Sequence, residues 1–376
     1  MTRRALIVLG AAVVVVASYV ASAPARSASP PLTERPVAPP LAPELSDLPA
    51  ARVTADARKG ELVIELPPVD LPADAGHHST DQPPVSLVEL PVGGSIFGFR
   101  TELVDEAGRR LPPELIHHFN VLDPTHRELF LPIGQRLAAA GKETGPIRMP
   151  WLLFGSPFER GAKIVASAML HNPTAETYRG VRVRIVLYYT PDNRPWPLFR
   201  VYPWQLDVGF PVGDKAFDLP AGRSERAYEG SPAVPGDIVA IGGHMHEYGV
   251  SIELSDATTG ELIWRGQPVR DANGNVVAIP IGRLYGLTRI GAHIVPEHRY
   301  RVRVIYDNPT GQVLPEGGMG VVGGLFVPDG DVPWPTINPN DSLYQQDLRH
   351  FLRLHGMWLE AKRSGGGMAM PVPMHH

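Results

Sequence analysis

The 376-residue chain contains no cysteine. That absence excludes disulfides, thiolate metal centres, iron–sulfur clusters and cysteine nucleophiles together, and leaves His, Met, Asp and Glu to hold any metal. Excess charge is missing too: the formal net charge is −4, so nothing in the balance points to nucleic acid. Helical periodicity is scarce. Ser342 to Lys362 is the one convincing helix, and Gly134 to Gly141 has room for a helical turn or two. The longest apolar run, Ala5 to about Val20, is short for a membrane span. It follows Arg3-Arg4 and precedes Ala21-Ser22-Ala23-Pro24-Ala25, the basic, apolar, small-residue order of a secretory signal over residues 1–28. The expectation is a secreted protein of a periplasm or cell envelope, membrane-associated only if that segment stays uncleaved. Without disulfides in an oxidising compartment, its stability must come from core burial.

What is abundant is proline and glycine. Residues 29–92 are dense in Pro and Ala, as in Pro36-Val37-Ala38-Pro39-Pro40 and Asp81-Gln82-Pro83-Pro84, and read as a linker or extension with one short strand at Leu62 to Leu66. His77-His78 in this region reads as a solvated pair. From Val92-Gly93-Gly94 onward, short apolar runs cut by Gly, Pro, Asn and Asp take over. Ser95 to Leu103, Leu115 to Val121, Lys163 to Leu170, Val181 to Tyr189 and Tyr300 to Tyr306 read as strands, the last two with clean period-two alternation. The fold class expected is all-β, two tandem jelly-roll-like β-sandwiches with an N-terminal Pro-rich extension and a C-terminal helix. A break near Thr190 to Pro197 divides them into residues 93–196 and 197–331, and residues 332–376 hold the helix and a Met/His tail. No internal repeat is obvious.

Five of the 14 histidines stand where a metal protein would place them. In Gly242-Gly243-His244-Met245-His246-Glu247-Tyr248-Gly249, His244 and His246 at i and i+2 share one face of an extended chain. His117 and His118 are adjacent inside an apolar strand, and His171 ends another. Neighbours on a strand point opposite ways, so one of the pair is core-directed unless the strand bends. Plainer readings exist for each: histidines exposed near a turn, or one core histidine beside one exposed one. Met319, in Gly317-Gly318-Met319-Gly320, adds a thioether, and thioether with imidazole is a soft set that suits copper, Cu(I) above all. His293 is a reserve ligand for the second domain.

This order (His-His, a lone His, His-x-His, then Met near Gly-Gly) resembles the copper type II, ascorbate-dependent monooxygenase family, of the peptidylglycine α-hydroxylating and dopamine β-monooxygenase kind. The resemblance spans about Ser95 to Val327, roughly 60% of the chain. It implies two jelly-roll domains with one copper each, facing across a cleft. His117, His118 and His171 would match the electron-transfer copper, while His244, His246 and a methionine would match the oxygen-binding one. Leu219-Pro220-Ala221-Gly222 looks like the family's turn upstream of His-x-His. The chain departs from the pattern in three ways. A gapless alignment puts Leu325 where the family has its methionine, so either Met319 supplies the thioether or that site has two protein ligands and solvent. Gly242 replaces an arginine that holds a peptide carboxylate. The family's disulfides are absent.

The function expected from the resemblance is C–H hydroxylation of a small-molecule substrate with O2 and an external reductant, using up to two coppers per chain. The alternative is copper binding and carriage on the same fold. The tail Met368-Ala369-Met370-Pro371-Val372-Pro373-Met374-His375-His376 suits copper capture. A third possibility is a metal-free envelope protein that binds a partner through its proline-rich stretch.

Overall fold

A computed structural model describes residues 39–75, 82–141, 146–195, 197–209, 215–272, 276–286, 290–330 and 332–363. The signal-like segment, His77-His78 and the Met/His tail lie outside them. The chain forms two jelly-roll-like β-sandwiches in tandem, followed by the helix Ser342–Arg363. Among the described helices none is long and apolar enough to cross a membrane.

In the first sandwich one sheet runs Arg52–Asp56, Glu61–Glu65, Tyr178–Pro191, Gly94–Val104, Phe154–Phe158, Phe199–Arg200. The other runs Ser86–Glu89, Lys163–Leu170, Ile116–Arg127, Gly134–Gly141. Their inner faces close on Leu62, Ile64, Leu103, Phe119, Ile164 and Val183. The second sandwich pairs a sheet of Tyr202–Asp207, Gly320–Pro328, Gly236–Met245 and Gly282–Arg283 with one of Gly222–Gly230, Tyr300–Asn308, Gly249–Asp256 and Leu262–Gly266. Its core holds Trp204, Ile241, Ile252, Val302, Tyr306 and Phe326.

Two expectations are corrected. Residues 29–92 are not a linker as a whole: Glu61–Glu65 pairs with Tyr178–Pro191, and Ser86–Glu89 pairs with Lys163–Leu170, so both belong to the first sandwich. Pro67, Pro68, Pro72, Pro83 and Pro84 fall between the strands, where no ladder donor is needed. Gly134–Gly141 is a strand against Ile116–Arg127, because ladder bonds and burial override the helix preference of its three alanines. The helix Ser342–Arg363 lies where the period predicts it, with Leu348, Phe351 and Leu352 packed on Leu122 and Val165.

The sandwiches are knitted together. The turn after Ile116–Arg127 carries Leu129 and Phe130 into the second core, where Phe130 meets Trp204 and Tyr300 edge-on at 5.4 and 6.2 Å. Beside it Glu128, fully buried, accepts from the backbone N–H of Arg136 (2.7 Å) and of Gln205 (3.2 Å). Burial, only partly offset by those bonds and by the Arg136 charge, pushes the Glu128 carboxyl up to about 7. Arg136 reaches the helix through a bidentate pair with Asp347 at 3.0 and 2.8 Å.

Contrary to the expectation of no repeat, the sandwiches share a lock. Asp70-Leu71-Pro72-Ala73 recurs as Asp218-Leu219-Pro220-Ala221, and Asn172-Pro173-Thr174 as Asn308-Pro309-Thr310. Asn172 Nδ2 donates to the carbonyls of Pro72 (2.6 Å) and Glu176 (2.7 Å), and its Oδ1 accepts from Thr174. Asn308 repeats the pattern on Pro220 (3.0 Å), Gln312 (2.8 Å) and Thr310. Asp70 then accepts from the N–H of Gly180, and Asp218 from that of Glu316. Both donor residues sit at positive φ, 56° for Gly180 and 51° for Glu316.

Candidate metal centres

On the first sandwich, Ile116, Phe119 and Val121 face the core with Leu170, Ala168 and Ala166 opposite them. The other face begins under the helix with Leu122 beside Val165, then Asn120 beside Ser167, then His118 beside Met169. The register slips between Met169 and Leu170, which makes His117 the extra residue of a β-bulge. That bend answers the expectation that one imidazole must enter the core. Both rings are half-exposed, 5.1 Å apart and tilted 52°. His171 comes one residue past the end of that strand, its N–H donating to the Leu115 carbonyl at 2.9 Å. The structure thus brings His117, His118 and His171 to the same end of one sheet.

On the second sandwich, His244 and His246 lie at the end of Gly236–Met245, half-exposed, rings 5.5 Å apart at 83°. His244 pairs with Val321 and Met245 with Gly320, and one step further come His246 and Met319. Tyr306 clamps that step. Its buried hydroxyl accepts from the N–H of His246 (3.0 Å) and of Met319 (2.9 Å) and donates to the Met319 carbonyl. Burial pushes this phenol up to about 12, so it stays a donor. Met319 also sits at a break. The first sandwich's Tyr178–Pro191 is one strand, whereas its counterpart is split into Leu314–Gly318 and Gly320–Pro328 with Met319 between. Leu325 pairs with Ala240 and packs in an apolar cluster with Phe154 and Val201, away from the histidines. Tyr248 has a φ of 65° just past His246, and a Cβ at Gly249 would collide with the Met245 sulfur.

His293 does not serve this site. It pairs with Asp237 at the other end of the strand, seven residues from His244, or about 23 Å. There Asp237, His293 and Asp329 form the one group, among the described residues, that brings three imidazole or carboxylate ligand atoms within 4.8 Å of one another. It is open to solvent.

His244 meets a charge network to which both sandwiches contribute. Asp207 is in register with Val321, itself in register with His244, so all three share the outer face. Burial raises the Asp207 carboxyl, against the lowering effects of Lys215, the Gly209 N–H, His244 and Arg136, the last from the first sandwich. Beside the His-x-His strand an open groove of about 590 Å³ is lined by Trp264, Val269, Ile281 and Gly282, among others. Gly282 pairs with Ile241, which sets Ile281 next to Gly242.

Sequence reasoning missed Tyr306, Asp207 and Met169. Only Met169 left a signal, its i, i+2 spacing from His171. No family model matches the chain, and no curated protein does. Among solved structures it is similar to PNGF-II in a C2 crystal form, at TM-score 0.32 and 8% identity over 80% of this chain and 65% of that one. The chain therefore spans less than two thirds of that structure's length. It is also similar to the VP2 subviral particle of infectious bursal disease virus, at TM-score 0.24 and 10% identity over 84% and 87% of the two chains.

Proposed function

We propose that the chain is a secreted copper protein whose two sites serve C–H oxidation of a small molecule by O2, with electrons from an external reductant. The observation that carries this reading is the Tyr306 clamp, which sets Met319 against His246 at a break in an otherwise continuous strand. Imidazoles with a thioether, and no thiolate, form a donor set that favours copper. His117, His118 and His171 would hold one copper, and His244, His246 and Met319 the other. Copper, when bound, supplies one-electron redox chemistry and a place for O2. The chain's own contribution is to fix the donors on rigid strand ends. Tyr306 holds the backbone at His246 and Met319, Asp207 stands beside His244, and the groove at Ile281 offers an apolar wall next to Gly242, where an arginine would select a carboxylate.

Copper carriage without catalysis is the second reading. It is favoured by the openness of the donors, since neither histidine set closes three imidazole or carboxylate ligand atoms within 4.8 Å. Copper counted on the mature protein, loaded under reducing conditions with zinc measured alongside, tests both. Two coppers per chain, falling to one in His246→Ala and in Met319→Leu, support the two-site reading. One copper lost only with His118→Ala supports carriage. Absence of tightly held copper ends both.

A further inference from the structure

We propose that Met169 is a fourth copper donor at the first site, making it a three-histidine, one-thioether centre; this rests on the copper reading above. Register carries the argument. Met169 stands directly opposite His118, with Ser167 and Asn120 in the next outward pair. Opposed residues on one sheet face have Cβ atoms about 5 Å apart. His171 follows two positions on, just past the strand end and bonded to the Leu115 carbonyl, and the bulge puts His117 beside His118. The covered part of this face ends earlier: Leu122 and Val165 lie under the helix, whereas Met169 is half-exposed among the imidazoles. An unbranched, polarisable side chain in that position can swing its sulfur to a metal held by the neighbouring rings. A thioether added to three imidazoles favours Cu(I) over Cu(II), as a store of single electrons or a carrier of reduced copper requires.

The test uses the full mature chain in a Met319→Leu background with the tail methionines Met368, Met370 and Met374 also changed to Leu, so that Met169 is the thioether in question at the first site. Cu(I) is titrated in competition with a chromogenic Cu(I) chelator, and copper-edge X-ray absorption is recorded on the loaded protein. Met169→Leu, close in volume, should weaken Cu(I) binding about tenfold, the equivalent of one weak bond. It should also abolish sulfur scattering while changing Cu(II) affinity far less. Unchanged Cu(I) affinity, or sulfur scattering that survives Met169→Leu, overturns the proposal alone. Copper binding indifferent to His118→Ala overturns the copper reading and this proposal together.

Discussion

The two sandwiches use one lock and place their donors on different sheets. In the first, His117, His118 and His171 sit on the sheet that contains Lys163–Leu170, the strand leading into the Asn172 lock. In the second, the strand leading into the Asn308 lock carries no donor. It supplies Tyr306 instead, and His244 and His246 sit on the opposite sheet. The lock therefore sets the frame, and the side chains beside it decide which face carries chemistry. The same comparison explains Met319, since the second sandwich breaks a strand that the first keeps whole.

The comparison can be broken at the lock itself. Asn172→Ala and Asn308→Ala each remove a buried side chain that satisfies several backbone groups, and each should cost about 4 kcal/mol in denaturant unfolding. On the copper reading proposed above, Asn172→Ala should release copper from the first site before the second, and Asn308→Ala the reverse. Equal loss from both sites would mean that the sandwiches do not fold as lock-governed units.

The joint between them should respond to pH. Glu128 has its folded value raised to about 7 from an ordinary 4.5. Below the ordinary value both states are protonated; as pH rises toward 7 the unfolded chain loses the proton first, so stability falls by about 3 kcal/mol across that window. Glu128→Gln should flatten this slope in a series of melts. Tyr306→Phe comes next. It removes the hydroxyl shared by His246 and Met319, costing about 2 kcal/mol and weakening only the second copper. The smallest change sharpens the comparison: Glu316→Gly restores the residue type found at Gly180 and should stabilise the second sandwich by about 1 kcal/mol, read from its denaturation midpoint.

Much of the fold was legible in the sequence. Alternation marked Tyr178–Pro191 and Tyr300–Asn308, because a half-buried strand leaves a local period, and a short apolar run marked Lys163–Leu170. Within residues 29–92 the strand Glu61–Glu65 was legible, whereas Val69–Leu71 and Ser86–Glu89 were not, since their pairing partners lie about 80 to 110 positions away and prolines crowd their ends. Gly134–Gly141 differs for another reason: its three alanines prefer helix, and the ladder to the strand just before it overrides that preference. At the sites, the histidines were visible, but the bulge that turns His117 and His118 outward depends on a register slip against Met169 and Leu170. Tyr306 read only as the end of a strand, because its role lies in a hydroxyl that reaches two distant backbones.

The Phe130 turn carries a consequence for biosynthesis. A chain threaded out amino-terminus first can close most of the first sandwich once Tyr178–Pro191 has emerged. Leu129 and Phe130 must then wait, apolar and uncovered, until Trp204 and finally Tyr300 arrive. A stall in synthesis between those points would leave a nearly finished domain displaying a sticky tip. A folding helper that shields aromatic turns would be needed in that interval, and dispensable after it.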